Sequence, residues 1–130
     1  MATGPKLDGA GNVKIVTIHE AQVILQRCHG IVEGLALDVK NSRPISGGVQ
    51  QLKRASTPLI GKLKGQYGMI ADTVTAMLLA ATRGGGDAQK VRGLREGIAS
   101  IRTQLEIAEA KVLENHAVDD KKHEAEPAAD

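Results

Sequence analysis

Aromatic residues are almost missing from this chain of 130 residues, which has no Phe, no Trp and a single Tyr, Tyr67. A hydrophobic core must therefore consist of Leu, Ile, Val, Ala and Met, which specify packing through shape and register rather than through large anchors. Helices accept such a core more readily than sheets do, because strands favour aromatic side chains. The shortage also excludes base stacking on aromatic platforms, the usual means of binding single-stranded nucleic acids.

Cysteine and long apolar runs are scarce as well. Cys28 is the single cysteine and cannot form an internal disulfide. Residues 1–14 lack the apolar stretch of a secretory signal, and no run approaches the roughly 18 apolar residues that cross a bilayer. We therefore expect a cytoplasmic protein without a transmembrane segment.

Acidic residues are missing from one long segment of the chain. The formal net charge is +2, yet no acid occurs between Asp38 and Asp72, and the basic residues that fall there span positions 40–64. Four of them are candidate contacts for an anion, either nucleic acid or an acidic membrane surface: Lys53, Arg54, Lys62 and Lys64. The alternative is that these cations only neutralise acidic residues at the end of a neighbouring helix: Glu106, Glu109 and Glu114.

The apolar residues that are present follow the three-and-four spacing of amphipathic helices. The first stripe predicts a helix from about 18 to 40, with Thr17 and Glu20 as an N-terminal capping box. The last stripe, which is the most regular, predicts a helix from about 88 to 117 with Asp87 as its cap. Loops rich in Gly and Pro separate these two helices from the segment between them.

The middle stripe covers residues 49–82 and contains Pro58. Proline lacks an amide donor and clashes with the preceding turn of a helix. Ser56 and Thr57 precede it, and both residue types are good N-caps. We therefore expect a second helix that is either kinked at Pro58 or split there into two pieces.

Three helices joined by short loops predict an all-α, antiparallel, up-down-up three-helix bundle. We place this bundle at residues 15–118. Residues 1–14 and 119–130 contain too little apolar surface to offset the entropy of ordering them. The expectation at the two ends is therefore a disordered N-terminal arm and a disordered charged tail.

Each predicted helix contains one pair of glycines four residues apart, although glycine costs about 1 kcal/mol relative to alanine inside a helix. The pairs are Gly30 with Gly34, Gly61 with Gly65, and Gly93 with Gly97. Two explanations are open. Either the helix backbones approach each other closely at these positions, or a stable bundle simply tolerates poor helix formers.

Residues that usually perform catalysis or hold metals do not form a recognisable set. The histidines lie too far apart along the helices to share a metal ion within one chain, and Cys28 falls in the apolar stripe of its helix. We therefore expect no enzymatic activity, no catalytic residue, no cofactor and no metal site.

His29 has one further interpretation. It lies mid-helix beside Gly30 and superficially resembles the phosphoacceptor site of histidine phosphotransfer domains, which are helical bundles of about this size. Those sites carry Lys and Gly three and four residues later, where this chain has Val32 and Glu33. A carboxylate at that position would repel a phosphoryl group. The resemblance therefore fails where it should be strongest.

Apolar residues are more numerous than a three-helix core requires. Surplus positions flank the main stripes at Ile24, Ile31, Leu59, Met69, Leu78, Leu79, Ile107 and Leu113. Such surplus commonly marks an interface, and our candidate contacts for a protein partner are Ile107, Leu113, Ile24 and Ile31. We expect a non-enzymatic adaptor or regulatory protein that acts through protein–protein interaction, self-association included. Anion binding by segment 40–64 is the alternative, and phosphotransfer-like signalling through His29 is the third hypothesis.

Overall fold

Four helices make up most of the computed structural model, which describes residues 6–83 and 85–118. They are α1 (Gly9–Lys40), α2 (Ser46–Leu63), α3 (Gly68–Thr82) and α4 (Asp87–Asn115). Two short strands, β1 (Lys6–Leu7) and β2 (Ala117–Val118), pair antiparallel and join the beginning of α1 to the end of α4. Within the described part of the chain, none of the helices combines the length and the hydropathy that a membrane-spanning segment needs.

Helix α1 lies antiparallel to both α2 and α4. The Lys62 ammonium near the end of α2 donates to Glu20 (Nζ–Oε1 3.1 Å), whereas the beginning of α2 packs against the second half of α1. On the other side, the Arg95 guanidinium early in α4 donates to Glu33. The two helices α1 and α4 therefore run in opposite directions along their whole length.

Helix α3 completes the ring between α2 and α4. Its last turn, at Ala81, lines one cavity together with Val49 from the first turn of α2. Met77 in its middle packs against Gly97 of α4. Because α3 thus also runs antiparallel to its two neighbours, the molecule is an up-down-up-down four-helix bundle in which α3 lies diagonally opposite α1.

The core is aliphatic, as the composition predicts. Each helix contributes the residues of its three-and-four stripe, and the fully buried ones include Ile18, Val32, Leu35, Leu52, Leu59, Leu63, Val74, Leu94, Ile101 and Leu105. Burying one such side chain contributes about 1.5–3 kcal/mol. The side chain of Tyr67 packs only at the edge of this core.

The prediction of three helices is wrong, because the predicted second helix is two antiparallel helices. The chain reverses at residues 64–67 rather than at Pro58. The apolar stripe continues through this reversal at helical spacing, in the order Leu63, Tyr67, Ile70 and Val74. Periodicity alone could not reveal the turn, since both arms of a helical hairpin need the same period. Gly65 and Gly68, two weak helix formers, are the signal that marks it.

Pro58 neither ends nor splits α2. Leu59 and Leu63 beyond it are fully buried, and their burial offsets the single backbone hydrogen bond that proline removes. The two expected caps have other partners. Thr57 donates its hydroxyl to the Lys53 carbonyl, and Ser56 is buried with its hydroxyl 3.5 Å from the Cys28 sulfur.

Helix α1 begins at Gly9, about nine residues before the predicted start. Asp8 is its N-cap, and the Asp8 carboxylate accepts a hydrogen bond from the Gly11 backbone amide at 2.6 Å. Thr17 is not a cap, because its hydroxyl donates to the Val13 carbonyl inside the helix. The sequence did not predict the first turns of α1, because Gly9 and Gly11 have low helix propensity.

The predicted flexible arm at residues 1–14 therefore differs from the structure over residues 6–14, which form β1 and the start of α1. Residues 1–5 of that arm lie outside the described residues. So does the predicted charged tail at 119–130.

The paired glycines mostly lie in open space. A β-carbon at Gly30, Gly34, Gly61, Gly65 or Gly93 would meet no atom of a neighbouring element within 4 Å. Gly97 is the exception, since a β-carbon there would lie 2.6 Å from Met77 Cγ. Tolerance inside a helix thus explains four of the six glycines, and close helix approach explains Gly97. Gly65 lies in the turn between α2 and α3.

Two alanine substitutions should separate these cases. Gly30→Ala should raise the free energy of unfolding by about 0.5–1 kcal/mol, because alanine is the better helix former and has room at this site. Gly97→Ala should lower it, because Met77 cannot move aside without disturbing the core. Urea denaturation followed by circular dichroism measures both changes, and equal effects at the two sites would contradict the contact at Gly97.

Candidate interaction surface

Helix α3 exposes two large apolar side chains, Met69 and Leu79, and carries very little charge. It contains one charged residue, Asp72, yet about half of its residues face solvent. A helix that is apolar on all sides is normally buried on all sides. Among the described helices α3 has two neighbours, α2 and α4, so no described helix covers its outer side.

The outer side of α3 is organised as one stripe. Its members are Met69, Asp72, Ala76 and Leu79 of α3 and Arg83, the C-cap residue directly after the helix. They follow three-and-four spacing and are all exposed, and we call them the α3 stripe. Met69 is 84% exposed and Leu79 is 51% exposed. The stripe is about 21 Å long at the usual rise of 1.5 Å per residue.

The two charged residues of the α3 stripe have no counter-ion in the described part of the chain. Among residues 6–83 and 85–118, neither Asp72 nor Arg83 lies within ion-pair distance of an opposite charge. Three acid–base contacts join neighbouring helices: His19 with Glu109, Lys62 with Glu20, and Arg95 with Glu33. Both ends of the stripe therefore carry a charge that is available to another molecule.

A cavity of about 450 Å³ adjoins one end of the α3 stripe. It forms because α1 and α4 extend beyond the turn between α2 and α3, by roughly 16 Å in the case of α1. Its apolar wall includes Tyr67, Met69 and Ile70 on one side and Ile107, Ala108 and Val112 on the other. Its basic rim consists of Lys14, Lys111 and His116.

His116 closes this end of the bundle. Its Nδ1 lies 3.1 Å from the Asp8 carboxylate and its Nε2 lies 3.1 Å from the Lys14 ammonium. The hydrogen bond from the Gly11 amide, followed by the contact with His116, holds the pKa of Asp8 below its usual 3.8.

The four predicted partner contacts do not lie together. Ile107 is 52% exposed and lines the cavity opposite Met69. Leu113 is half-buried and does not line that cavity. Ile24 and Ile31 are half-buried against the core, in a groove between α1 and α2. Of the other surplus positions, Leu59 is fully buried, whereas Met69 and Leu79 belong to the α3 stripe.

The structure disperses the four predicted anion contacts over different sides of the bundle. Lys62 is bound to Glu20 of α1. Lys53 lines a cavity at the end of α3, Arg54 lines the groove between α1 and α2, and Lys64 lies in the turn after α2. The acidic end of α4 does not neutralise them either, because it packs beside α1.

The contacts of Glu109 show that the acidic end of α4 packs beside α1. Glu109 accepts hydrogen bonds from His19 (2.8 Å) and from Gln22 (3.2 Å), both on α1. The bond to His19 lowers the pKa of Glu109 below its usual 4.5. The carboxylate therefore contributes to the contact between α1 and α4 rather than to a contact with the basic segment.

His29 is half-buried, and the carboxylate of Glu33 lies one helical turn beyond it. The Arg95 guanidinium donates two hydrogen bonds to Glu33, at 2.9 and 2.8 Å. These bonds lower the pKa of Glu33, which keeps the carboxylate ionised. A phosphoryl group on His29 would therefore have a charged carboxylate as its neighbour.

Neither a protein-family model, nor a curated protein, nor a solved structure matches this chain. No activity and no partner can therefore be carried over from a relative. The α3 stripe and the adjoining cavity are the features from which a function can be argued.

Lysine substitutions on α4 should distinguish the cavity wall from the core. Ile107→Lys should change the free energy of unfolding by less than about 0.5 kcal/mol, because this side chain is already half exposed. Ile101→Lys should unfold the bundle, because it buries an unpaired charge at a position with no exposure. Thermal melts of dilute protein give both values. Unfolding by Ile107→Lys as well would assign Ile107 to the core.

Acidification should test the contacts of Asp8. Because its pKa is lowered in the folded state, the ionised carboxylate stabilises the fold above pH 3.8, and this contribution is lost as the pH falls through the lowered pKa. Asp8→Asn keeps an oxygen for the Gly11 amide but removes the charge. The variant should melt below the wild type at neutral pH, and the difference should shrink in acid. A difference independent of pH would contradict a role for the charge.

Proposed function

We propose that this chain is a non-enzymatic adaptor or regulatory protein that acts through protein–protein interaction, with the α3 stripe and the neighbouring Ile107 as its binding surface. One observation carries the proposal. Helix α3 exposes about half of its residues while carrying a single charge, and none of the other helices in residues 6–83 and 85–118 covers that side.

The composition of the surface supports this role. The centres of protein interfaces are depleted of charged residues and enriched in Met. The α3 stripe has that composition, since Ala76 and Leu79 lie between its two charged residues and Met69 lies at one end. Methionine is flexible and polarisable, so an exposed Met can adapt to the shape of a partner.

The outward face of α4 has a different character. Helix α4 exposes charged residues of both signs along its length: Arg92, Arg95, Glu96, Arg102, Glu106, Lys111 and Glu114. Such a mixture is typical of a surface that remains in water. Charge is thus depleted on α3 relative to α4, although α1 also exposes large apolar side chains, namely Val13, Val16, Val23 and Leu37.

A cytoplasmic location is part of the proposal. Cys28 is the single cysteine and has no second thiol in the chain to pair with. It is buried beside Ser56, and burial raises the pKa of its thiol. A protonated, buried thiol is unreactive, which suits a protein that works in a reducing compartment.

The test compares two lysine substitutions at exposed apolar residues. Leu79→Lys lies in the α3 stripe, and Val23→Lys lies on the outer side of α1, where Val23 is 72% exposed. Immobilised wild type and variants are incubated with extract of the native cells, and every retained protein is quantified, further copies of this chain included. Leu79→Lys should weaken retention at least about tenfold, as for an interface anchor.

Val23→Lys is the matched control and should retain the same proteins as the wild type. Thermal melts of both variants should remain within about 4 °C of the wild type, since neither residue is buried. Equal retention by all three proteins would overturn the assignment of α3 as the binding surface. Equal loss in both variants would indicate a general effect of added charge and would overturn it as well.

A further inference from the structure

We propose that the molecule that covers the α3 stripe is a second copy of this chain, packed so that the two α3 helices run antiparallel about a two-fold axis. The inference rests on the proposed function of the stripe as a binding surface. Its own basis is the order of the residues along the stripe, which makes the surface complementary to itself.

The two charges of the stripe have opposite signs and enclose an apolar centre. Asp72 precedes Ala76 by four residues, and Arg83 follows Leu79 by four residues. A two-fold axis requires that if one residue contacts another across the interface, the reverse contact also forms. The register that places Asp72 opposite Arg83 of the second copy therefore also places Ala76 opposite Leu79.

In this register a small side chain faces a large one, and each charge faces a charge of opposite sign. Ala76 leaves room for Leu79 of the second copy, so the two helices can approach closely and bury two Leu side chains that are 51% exposed in the single chain. Two ion pairs flank this centre. They use two of the several charges that form no ion pair among residues 6–83 and 85–118.

Charge also selects the direction of the pairing. A parallel arrangement in register would place Asp72 against Asp72 and Arg83 against Arg83, which is repulsive at both ends. The antiparallel arrangement converts both contacts into attractions. Exposed ion pairs contribute little affinity, but they determine orientation and register.

The length of the stripe limits the strength of the dimer. In this register the two helices are in contact over residues 72–83, about 17 Å, which buries less surface than the roughly 800 Å² per partner of a stable complex. We therefore expect reversible dimerisation, with a dissociation constant on the order of 10–100 μM. Measurements must extend well above this concentration.

A charge exchange tests the proposal with the full-length chain. Asp72→Arg gives the stripe two basic ends, and Arg83→Glu gives it two acidic ends, so each variant repels a second copy of itself. In sedimentation or light scattering, the wild type should approach the dimer mass as its concentration rises. Each single variant should dimerise at least about tenfold more weakly.

Recombination of the charges provides the decisive control. An equimolar mixture of the two single variants should dimerise as the wild type does, because a copy with two basic ends then meets a copy with two acidic ends. The double variant Asp72→Arg/Arg83→Glu should also dimerise, since it only exchanges the charges. Circular dichroism should show all variants folded, because both residues are exposed.

Several outcomes would overturn the inference. The inference is wrong if the wild type stays monomeric at the highest soluble concentration. It is also wrong if the single variants dimerise as well as the wild type, or if their mixture fails to dimerise. The wild type could be monomeric and yet retain a protein from the cell extract that Leu79→Lys does not retain. In that case a different protein covers the α3 stripe, and the binding role of the stripe stands. If Leu79→Lys affects neither dimerisation nor retention, both proposals fail.

Discussion

Burial of four aliphatic stripes against one another is the interaction on which every other feature of this molecule depends. No large aromatic ring anchors the core, so its stability is the sum of many Leu, Ile, Val and Met contacts of similar size. Such a core needs continuous stripes, and the chain maintains them even where local preferences oppose a helix. Pro58 stays inside α2 because Leu59 and Leu63 beyond it are fully buried. The same requirement explains why four of the paired glycines are tolerated inside helices where nothing touches them.

Much of the fold follows from spacing alone, and the errors have a common physical origin. The stripe from Val91 to Val112 predicted a helix from about 88 to 117, and α4 spans Asp87–Asn115. Spacing reports which face of a helix is buried, but it does not report the direction in which the chain runs. It therefore missed the reversal at 64–67, where a stripe continues in phase from one helix into the next. The start of α1 was missed for a different reason, since glycine-rich turns carry no stripe and Asp8 alone marks the cap.

The candidate surface was harder to predict than the core. An excess of apolar residues is visible in the sequence, and Ile107 was found in this way at the wall of the cavity. Which excess residues remain exposed depends on the neighbours of each helix. Ile24 and Ile31 pack beside α2, whereas Leu79 has no neighbouring helix on its outer side. Only the division of residues 49–82 into two helices shows that α3 is short, nearly uncharged and uncovered. A scarcity of charge between Gly68 and Thr82 was the available signal.

An even number of antiparallel helices returns the chain to the end of the bundle at which it started. Lys6 and Val118 are consequently paired in the small sheet, whereas a three-helix bundle would hold its ends roughly 40 Å apart. The bundle therefore has the geometry of an insertable module, because a surface loop of a host protein could be opened and continued through it without separating the ends of that loop. A short linker between β1 and β2 would likewise permit circular permutation, with new termini opened in the exposed turn at 64–67.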